Sequence, residues 1–227
     1  MYTTLIEPAQ LSARLSDPDV AVIDCRHELS KPAWGAEAYA AGHIPNALHA
    51  SLDRDLSGPV GPATRRHPLP TVEAFATTLG RWGIDAGVQG IAYDQGPGAY
   101  AARLWWMLRW VGHSRVAVLN GGFAAWQEAG LPVTREPGAR PPRRFAPRTT
   151  DSMSVTAAQL EQGLARGDVM VIDARGADRF AGENETIDPV AGHIPGARNR
   201  PFTANLDATV RFLSPDALRR GFASVAS

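Results

Sequence analysis

Two short blocks of sequence occur twice in this chain, in the same order and at nearly the same spacing. Residues 21–26 read AVIDCR and residues 170–175 read MVIDAR, while residues 41–47 read AGHIPNA and residues 191–197 read AGHIPGA. The aspartate of the first block precedes the first glycine of the second block by 18 positions in one copy and by 19 in the other. Matched blocks at matched spacing indicate an internal repeat, so we predict that the chain is a tandem duplication of one fold.

The sequence around the repeated blocks alternates between strand and helix patterns. A short apolar strand is predicted at Val20–Asp24 in the first copy and at 169–173 in the second. The first copy has further predicted strands over 90–94 and 115–122, and predicted helices over 71–84, 99–112 and 123–130. Apolar strands that alternate with helices are typical of a parallel sheet with helices on both faces, so the predicted fold class is α/β.

A segment between the two copies lacks any apolar periodicity. Residues 134–154 read TREPGARPPRRFAPRTTDSMS and are rich in proline and arginine. This composition is typical of an extended linker. We therefore predict a first domain over residues 1–134, a linker over 135–151 and a second domain over 152–227.

Charge and cysteine content exclude several classes of function. Basic and acidic residues balance at 23 each, so no strong field favours nucleic acid or a membrane surface as a partner. Cys25 is the single cysteine, which excludes an internal disulfide and a cysteine-cluster metal site. No apolar run approaches the roughly 18 residues of a membrane span. Residues 1–15 lack the pattern of a secretory signal, so a cytoplasmic location is expected.

The stretch YDQGPGAYAARLWW, residues 93–106, places a glycine-containing loop between a strand and a helix. Such a loop points backbone N–H groups at its centre and suits an anion. The loop nevertheless contains no Cys, Ser or His to act as a nucleophile. Asp94 directly follows the strand, and we expect its carboxylate to cap the helix and to satisfy these N–H groups itself.

The motifs extend into longer blocks in both copies. They read VIDCRHEL, RRHPLP, YDQGPGAYAARLWWMLRWVGH and VAVLNGGFAAWQEAGLPV in the first copy, and VIDARGADRFAGENE and VAGHIPGARNRPF in the second. With these blocks the chain resembles the two-domain rhodaneses, which are the thiosulfate and 3-mercaptopyruvate sulfurtransferases. The resemblance implies transfer of sulfane sulfur from one of these two donors to cyanide or a thiol through a cysteine persulfide. It implies neither a metal nor an organic cofactor.

The resemblance also implies that the first copy is inert and that the second copy carries the catalytic cysteine. The inert copy of the family has Asp in its loop, where this chain has Asp94. In the first copy Pro45 precedes Asp94 by 49 residues, whereas only 32 residues follow Pro195 in the second copy. We therefore expect the second domain to be incomplete and poorly stable. No residue is predicted to be catalytic, and the chain as given is expected to be inactive.

Arg179 is the residue predicted to bind substrate. In DARGADRF it lies where the resemblance places an arginine that reaches the anionic end of the sulfur donor, and a guanidinium suits such anions. The alternative is a surface ion pair with Glu183 or Glu185. Cys25 also has two interpretations: a thiol whose pKa is lowered by Arg26, or a small buried side chain at a strand end, which we favour.

We expect the residues that occur in both copies to have structural rather than catalytic roles. His43 and His193 lie in GHIP motifs, and because the inert copy keeps its histidine, a turn-stabilising hydrogen bond explains both residues better than catalysis does. Asp24 and Asp173 are interpreted in the same way. Arg175 is expected to pair with a carboxylate near the end of its strand.

Two other functions are compatible with the sequence. A non-catalytic rhodanese-like protein would use its loops to bind anions or would act as a scaffold. A phosphatase relative would bind phosphate in a larger loop of the same kind, but that reaction also requires a cysteine, which disfavours it. No oligomeric state is predicted, and the choice between thiosulfate and 3-mercaptopyruvate stays open.

Overall fold

The computed structural model describes residues 1–62, 64, 66–149 and 153–226 of the chain. The chain divides into two compact units, Met1–Thr150 and Asp151–Ser227.

The first unit contains a five-stranded sheet in which all paired strands are parallel. Its strands are β1 (Leu5–Ile6), β2 (Val20–Asp24), β3 (Leu48–His49), β4 (Gln89–Tyr93) and β5 (Val116–Leu119). Their order across the sheet is β1-β5-β4-β2-β3, with β2 and β4 fully buried. The α/β prediction is confirmed, and β2 has the predicted bounds.

Helices cover both faces of this sheet. They are α1 (Pro8–Ser12), α2 (Trp34–Ala41), α3 (Val72–Arg81), α4 (Ala99–Trp110) and α5 (Gly122–Glu128). Successive side chains of a strand point to opposite faces, so Ala21 and Ile23 of β2 pack with α3 and α4, while Val22 packs with α1 and α5. The unit therefore has two apolar layers, one on each side of the sheet.

Local sequence signals set the ends of these elements. The Thr71 hydroxyl accepts the Ala74 N–H and begins α3, as expected for a threonine N-cap. The helix ends at Arg81, earlier than predicted, and Gly83 follows with a left-handed φ of 65°. Strand β5 was predicted to continue to residue 122 but ends at Leu119, because Gly121 turns the chain into α5 with a φ of 76°.

The extended segment 135–149 packs on the first unit. The Arg140 guanidinium donates to the carbonyl oxygens of Val20 and Pro18, each at 2.7 Å. The Arg143 N–H donates to the Gly80 carbonyl at 2.9 Å, and the Phe145 ring is buried in the apolar core. This proline-rich stretch is therefore fixed by hydrogen bonds and by one buried aromatic ring.

The second unit repeats the beginning of the first. Its elements are α6 (Ala157–Arg166), β6 (Ile172–Asp173), α7 (Ala177–Ala181), β7 (Arg198–Asn199), a 3₁₀ turn (Phe202–Asn205) and α8 (Pro215–Ala226). Strands β6 and β7 are parallel, and Ile172 faces Arg198 as Ile23 of β2 faces Leu48 of β3.

Strand β6 is shorter than the predicted 169–173. In the first unit, β4 pairs with all five residues of β2, whereas β3 pairs with only the last two. In the described part of the second unit, β6 pairs with β7 alone. The two residues of β6 are equivalent to the two residues of β2 that pair with β3. Ile172 is accordingly 39% exposed, compared with 0% for the equivalent Ile23.

Candidate functional site

The loop between β4 and α4 is closed around Asp94, which is 1% exposed. One carboxylate oxygen accepts the backbone N–H groups of Gly96 and Gly98, each at 3.0 Å. The other accepts the N–H groups of Tyr100 at 3.0 Å and Ala101 at 3.3 Å. The prediction that Asp94 satisfies the N–H groups of its own loop is confirmed. These four donors are therefore already used by a carboxylate of the chain.

The loop also packs tightly against the start of α5. The Phe123 N–H donates to the Asp94 carbonyl oxygen at 2.8 Å. Gly122 has a φ of 60°, and a Cβ atom there would lie 2.6 Å from the same oxygen. Only glycine permits this approach, so the sequence NGG at 120–122 helps to fix the closed loop.

The ends of β2 and β6 carry the same ion pair. Arg26 Nε lies 3.1 and 2.9 Å from the two carboxylate oxygens of Asp24, and Arg26 Nη2 lies 2.6 Å from Oδ2. Arg175 and Asp173 reproduce these distances at 3.1, 3.0 and 2.6 Å. Each Nη2 also donates to a glycine carbonyl, Gly42 or Gly192. The predicted pairing of Arg175 and the structural role of both aspartates are confirmed.

The two GHIP histidines also have structural contacts. His43 Nδ1 lies 2.7 Å from the Tyr39 carbonyl oxygen, and its Nε2 lies 2.9 Å from the Glu136 carbonyl oxygen. His193 Nδ1 lies 2.8 Å from the Phe180 carbonyl oxygen. Each imidazole stacks on the ring of the residue that its Nδ1 contacts, at centroid distances of 3.8 and 3.7 Å. The structural interpretation of these histidines is confirmed.

Cys25 is enclosed in the core of the first unit and is 2% exposed. Burial raises the pKa of its thiol well above the ordinary value, and the nearby carboxylates of Asp24 and Asp94 raise this pKa further. A nucleophilic cysteine requires a lowered pKa and access to its substrate. The interpretation of Cys25 as a small buried side chain is confirmed.

Arg179 lies on α7 in a network of ion pairs. Its Nε and Nη2 donate to Glu185, with the shortest distance 2.8 Å, and Nη2 also lies 3.0 Å from Asp188 Oδ2. The Asp188 backbone N–H and the Arg179 side chain both bind the Glu185 carboxylate and lower its pKa to about 2. Of the two expected partners, the structure selects Glu185. These carboxylates fix the orientation of the Arg179 guanidinium.

Three residues beyond the carboxyl end of β2 form a group to which the sequence analysis assigned no role. His67 Nε2 lies 3.1 Å from Asp53 Oδ1, and the His27 ring packs edge-on against the His67 ring at 6.1 Å. Burial lowers the pKa of His27. His27 lies three residues after β2, and the rule that parallel strands place functional groups at their carboxyl ends would have pointed to it. His67 lies in the block RRHPLP, which the resemblance singled out without a role, whereas Asp53 lies in the same long loop and its pairing with His67 had no signal in the sequence.

Within the residues that the structure describes, no group of three or more His, Cys, Asp or Glu side chains is arranged to hold a metal ion. No helix within those same residues combines the length and apolar character needed to cross a membrane.

The chain is similar in sequence to known sulfurtransferases. Residues 7–129 match the family model of the rhodanese-like domain. The chain is 46% identical over 223 residues to a probable 3-mercaptopyruvate sulfurtransferase of Pseudomonas aeruginosa, which covers 97% of this chain and 78% of that protein. It is 36% identical over 218 residues to the putative thiosulfate sulfurtransferase SseB of Mycobacterium tuberculosis, with coverage of 94% and 76%.

Its fold is also similar to that of a solved sulfurtransferase. The crystal structure of SseA from Escherichia coli, described as a 3-mercaptopyruvate sulfotransferase with the rhodanese fold, matches with a TM-score of 0.87 and 30% identity. The match covers 100% of this chain and 85% of SseA. The parallel sheet and the loop closed by Asp94 are consistent with this similarity. The chain therefore belongs to the rhodanese family of sulfurtransferases, which transfer sulfur from a donor to an acceptor.

Proposed function

We propose that this chain serves the transfer of a sulfur atom from 3-mercaptopyruvate to a thiol or to cyanide, with the sulfur carried as a cysteine persulfide. The observation that carries the proposal is the 46% identity, over 97% of the chain, with a probable 3-mercaptopyruvate sulfurtransferase. In this reaction a thiolate attacks the donor sulfur, the carbon–sulfur bond breaks, and protonation of the leaving carbon gives pyruvate. Attack of the acceptor on the outer sulfur then releases the thiolate. Thiosulfate is the second candidate donor, favoured by the 36% identity with SseB.

The two copies have different roles in this proposal. The first domain, residues 1–134, is the inert copy, and the second, residues 152–227, is the catalytic copy, with a linker over 135–151. The inert role of the first domain is supported by Asp94, because its carboxylate already accepts the four N–H groups that would otherwise stabilise a substrate anion or a thiolate.

Arg179 is the proposed contact for the donor's carboxylate. Glu185 and Asp188 accept from Nε and Nη2, whereas no residue that the structure describes accepts a hydrogen bond from Nη1. The side chain is 23% exposed. A guanidinium held by two carboxylates loses little further freedom on binding a ligand, so Nη1 is the group proposed to bind the donor.

Cys25 is not the sulfur carrier in this proposal. It is buried and its thiol pKa is raised, so the 227 residues contain no suitable nucleophile, and the persulfide requires a thiolate from outside them. The same two observations, the buried thiol and the closed Asp94 loop, favour a second candidate function: a non-catalytic rhodanese-like anion-binding or scaffold protein.

A binding experiment separates the two functions. We expect calorimetry to show that the chain binds 3-mercaptopyruvate and that Arg179→Met weakens this binding about tenfold, because one charge-assisted contact is lost. Arg166→Met, which removes an exposed arginine of α6 paired with Asp168, is the matched control and should leave binding unchanged. Absence of donor binding would favour the scaffold function.

An activity assay then tests the assignment of Cys25. With either donor and cyanide, the purified chain should form no thiocyanate above background. Thiocyanate formation that disappears in Cys25→Ser would contradict the assignment. A cytoplasmic location is part of the same proposal and is testable by cell fractionation.

A further inference from the structure

Comparison of the two copies shows which residue of the first copy is equivalent to the proposed donor-binding arginine. Tyr39 and Phe180 are equivalent, because each ring stacks on the histidine of its GHIP motif and each carbonyl oxygen contacts Nδ1 of that histidine. The residues that directly precede them, Ala38 on α2 and Arg179 on α7, are therefore equivalent as well. The first copy has a methyl group where the second copy has a guanidinium.

The connection from these helices to the GHIP motif also differs between the copies. It comprises residues 40–41, both alanine, in the first copy and residues 181–191 in the second. The longer connection supplies Glu185, whereas the shorter one has no carboxylate. Glu185 and Arg179 are therefore present together in the second copy and absent together from the first, which is expected of two residues that act as a unit.

The carboxylate of Glu185 is enclosed by donors, and its side chain is 2% exposed. Its Oε1 accepts the backbone N–H groups of Ile187 at 2.9 Å and of Asp188 at 2.8 Å. Its Oε2 lies 2.8 Å from Arg179 Nη2, 3.1 Å from Arg179 Nε and 3.5 Å from Arg175 Nη1. The Asp188 N–H and Arg179 lower the pKa of this carboxyl group to about 2, so it is charged at neutral pH.

Through Glu185, the guanidinium of Arg179 is joined to a fixed point of the second unit. Arg175 is held at the end of β6 by Asp173 at 2.6 Å and by the Gly192 carbonyl oxygen at 2.7 Å. Glu185 bridges this arginine to Arg179. Because it contacts both Nε and Nη2 of Arg179, it sets the plane of the guanidinium as well as its position.

Asp188 also pairs with Arg179 but constrains it less. Its Oδ2 lies 3.0 Å from Nη2, and its side chain is 33% exposed. Either carboxylate places a negative charge near Arg179 and so opposes the approach of an anion. Glu185 in addition fixes the guanidinium through two nitrogens. Removal of the two charges should therefore change donor binding in opposite directions, whereas a purely electrostatic role predicts the same direction for both.

We propose that Glu185 is the positioning residue of the donor site and holds Arg179 so that Nη1 meets the donor's carboxylate. This inference rests on the proposed binding of the donor at Arg179. An arginine loses much side-chain freedom when it binds a ligand, and the bridge to Glu185 removes most of that freedom before the donor arrives.

Calorimetric titration of the full chain with 3-mercaptopyruvate tests this role. We expect Glu185→Gln to weaken binding about fivefold, because Arg179 loses its fixed orientation. Asp188→Asn should strengthen binding about twofold, because an opposing charge is removed. Glu183→Gln, at an exposed position of the same connection, is the matched control and should change binding by less than about twofold. In the free protein, NMR relaxation should show a more mobile Arg179 Nε–H group in Glu185→Gln but not in Glu183→Gln.

Two results would overturn the positioning role if the original chain binds the donor. One is donor binding to folded Glu185→Gln that is as tight as in the original chain or tighter, which would leave Glu185 with the effect of its charge alone. The other is an Arg179 Nε–H group that is no more mobile in this variant. Absence of donor binding to the original chain would instead contradict the proposed function itself, so the two failures are distinguishable.

Discussion

The Tyr93 hydroxyl donates a hydrogen bond of 2.7 Å to Asp24 Oδ2, which joins the ends of two adjacent parallel strands. Tyr93 is fully buried, and its hydroxyl also accepts the Ile44 N–H at 3.4 Å. Asp24 is in turn the partner of Arg26. One phenol therefore connects β4, the ion pair at the end of β2 and the turn that follows α2.

Tyr93→Phe should destabilise the chain by about 1–2 kcal/mol, because the Asp24 carboxylate loses a buried donor. Urea unfolding followed by circular dichroism measures this change. Tyr100→Phe is the matched control: Tyr100 is half-buried, and its hydroxyl has no hydrogen bond to a described residue, so its loss should change the unfolding free energy by less than about 0.5 kcal/mol. Equal effects of the two substitutions would contradict the importance of the Tyr93–Asp24 bond.

Asp94→Ala should cost about 2–4 kcal/mol, since four buried backbone N–H groups would lose their acceptor. Asp94→Asn retains one acceptor oxygen and should cost about half as much. The comparison is made by urea unfolding of the three proteins at neutral pH. If the alanine variant were as stable as the original chain, the loop would not depend on this carboxylate.

Cys25 should be unreactive in the folded chain. Ellman's reagent should label it only after urea unfolding, and thiosulfate treatment should add no sulfur to the folded protein by mass spectrometry, because the thiol is buried and protonated. A persulfide on Cys25 in the folded state would reverse this conclusion.

The same residue predicts a specific pH dependence. Its folded-state pKa is raised above the ordinary 9.0, so its contribution to stability is complete below about pH 9 and is lost as the pH rises toward the folded-state pKa. The original chain should therefore lose stability relative to Cys25→Ala above about pH 9 and not below it. Alanine is the appropriate replacement because Ala174 occupies the equivalent position in the second copy. Parallel stability curves for the two proteins up to pH 10 would be inconsistent with the raised pKa.

Glu185 should titrate near pH 2, because the Asp188 N–H and Arg179 favour its charged form. The stability that this carboxylate contributes is present above its unfolded-state pKa, about 4.5, and is lost as the pH falls toward 2. NMR of the side-chain carboxyl group measures its midpoint directly. Arg179→Met should move the midpoint upward but leave it below 4.5, since the Asp188 N–H remains. A midpoint of 4.5 in the original chain would show that the ion pair is absent in solution.

Local periodicity and internal comparison predicted a large part of the first unit. The bounds of β2 were predicted correctly because five consecutive apolar or strand-end residues leave few alternatives for a buried parallel strand. The pairing of Arg175 and the capping role of Asp94 were also predicted, since in both cases the partners lie within a few residues along the chain. The helix and strand ends at Arg81 and Leu119 were missed because the φ of a glycine depends on its tertiary surroundings.

Contacts between distant residues could not be predicted in the same way. The Asp53–His67 pair joins two points of a loop without periodicity, and the choice of Glu185 rather than Glu183 for Arg179 depends on how the chain turns after α7. A cavity of about 270 Å³ beside Arg26 combines residues from α2, the loop after β4 and α5. No spacing along the sequence encodes that combination.

The sequence by itself determined the repeat, the parallel α/β fold and the family, because these depend on local residue patterns that recur at fixed spacing. Only the tertiary structure decided which of the described side chains are buried and which polar groups are already paired. Burial and hydrogen bonding are set by the packing of elements far apart in the chain, as with Asp94, Cys25 and Arg26.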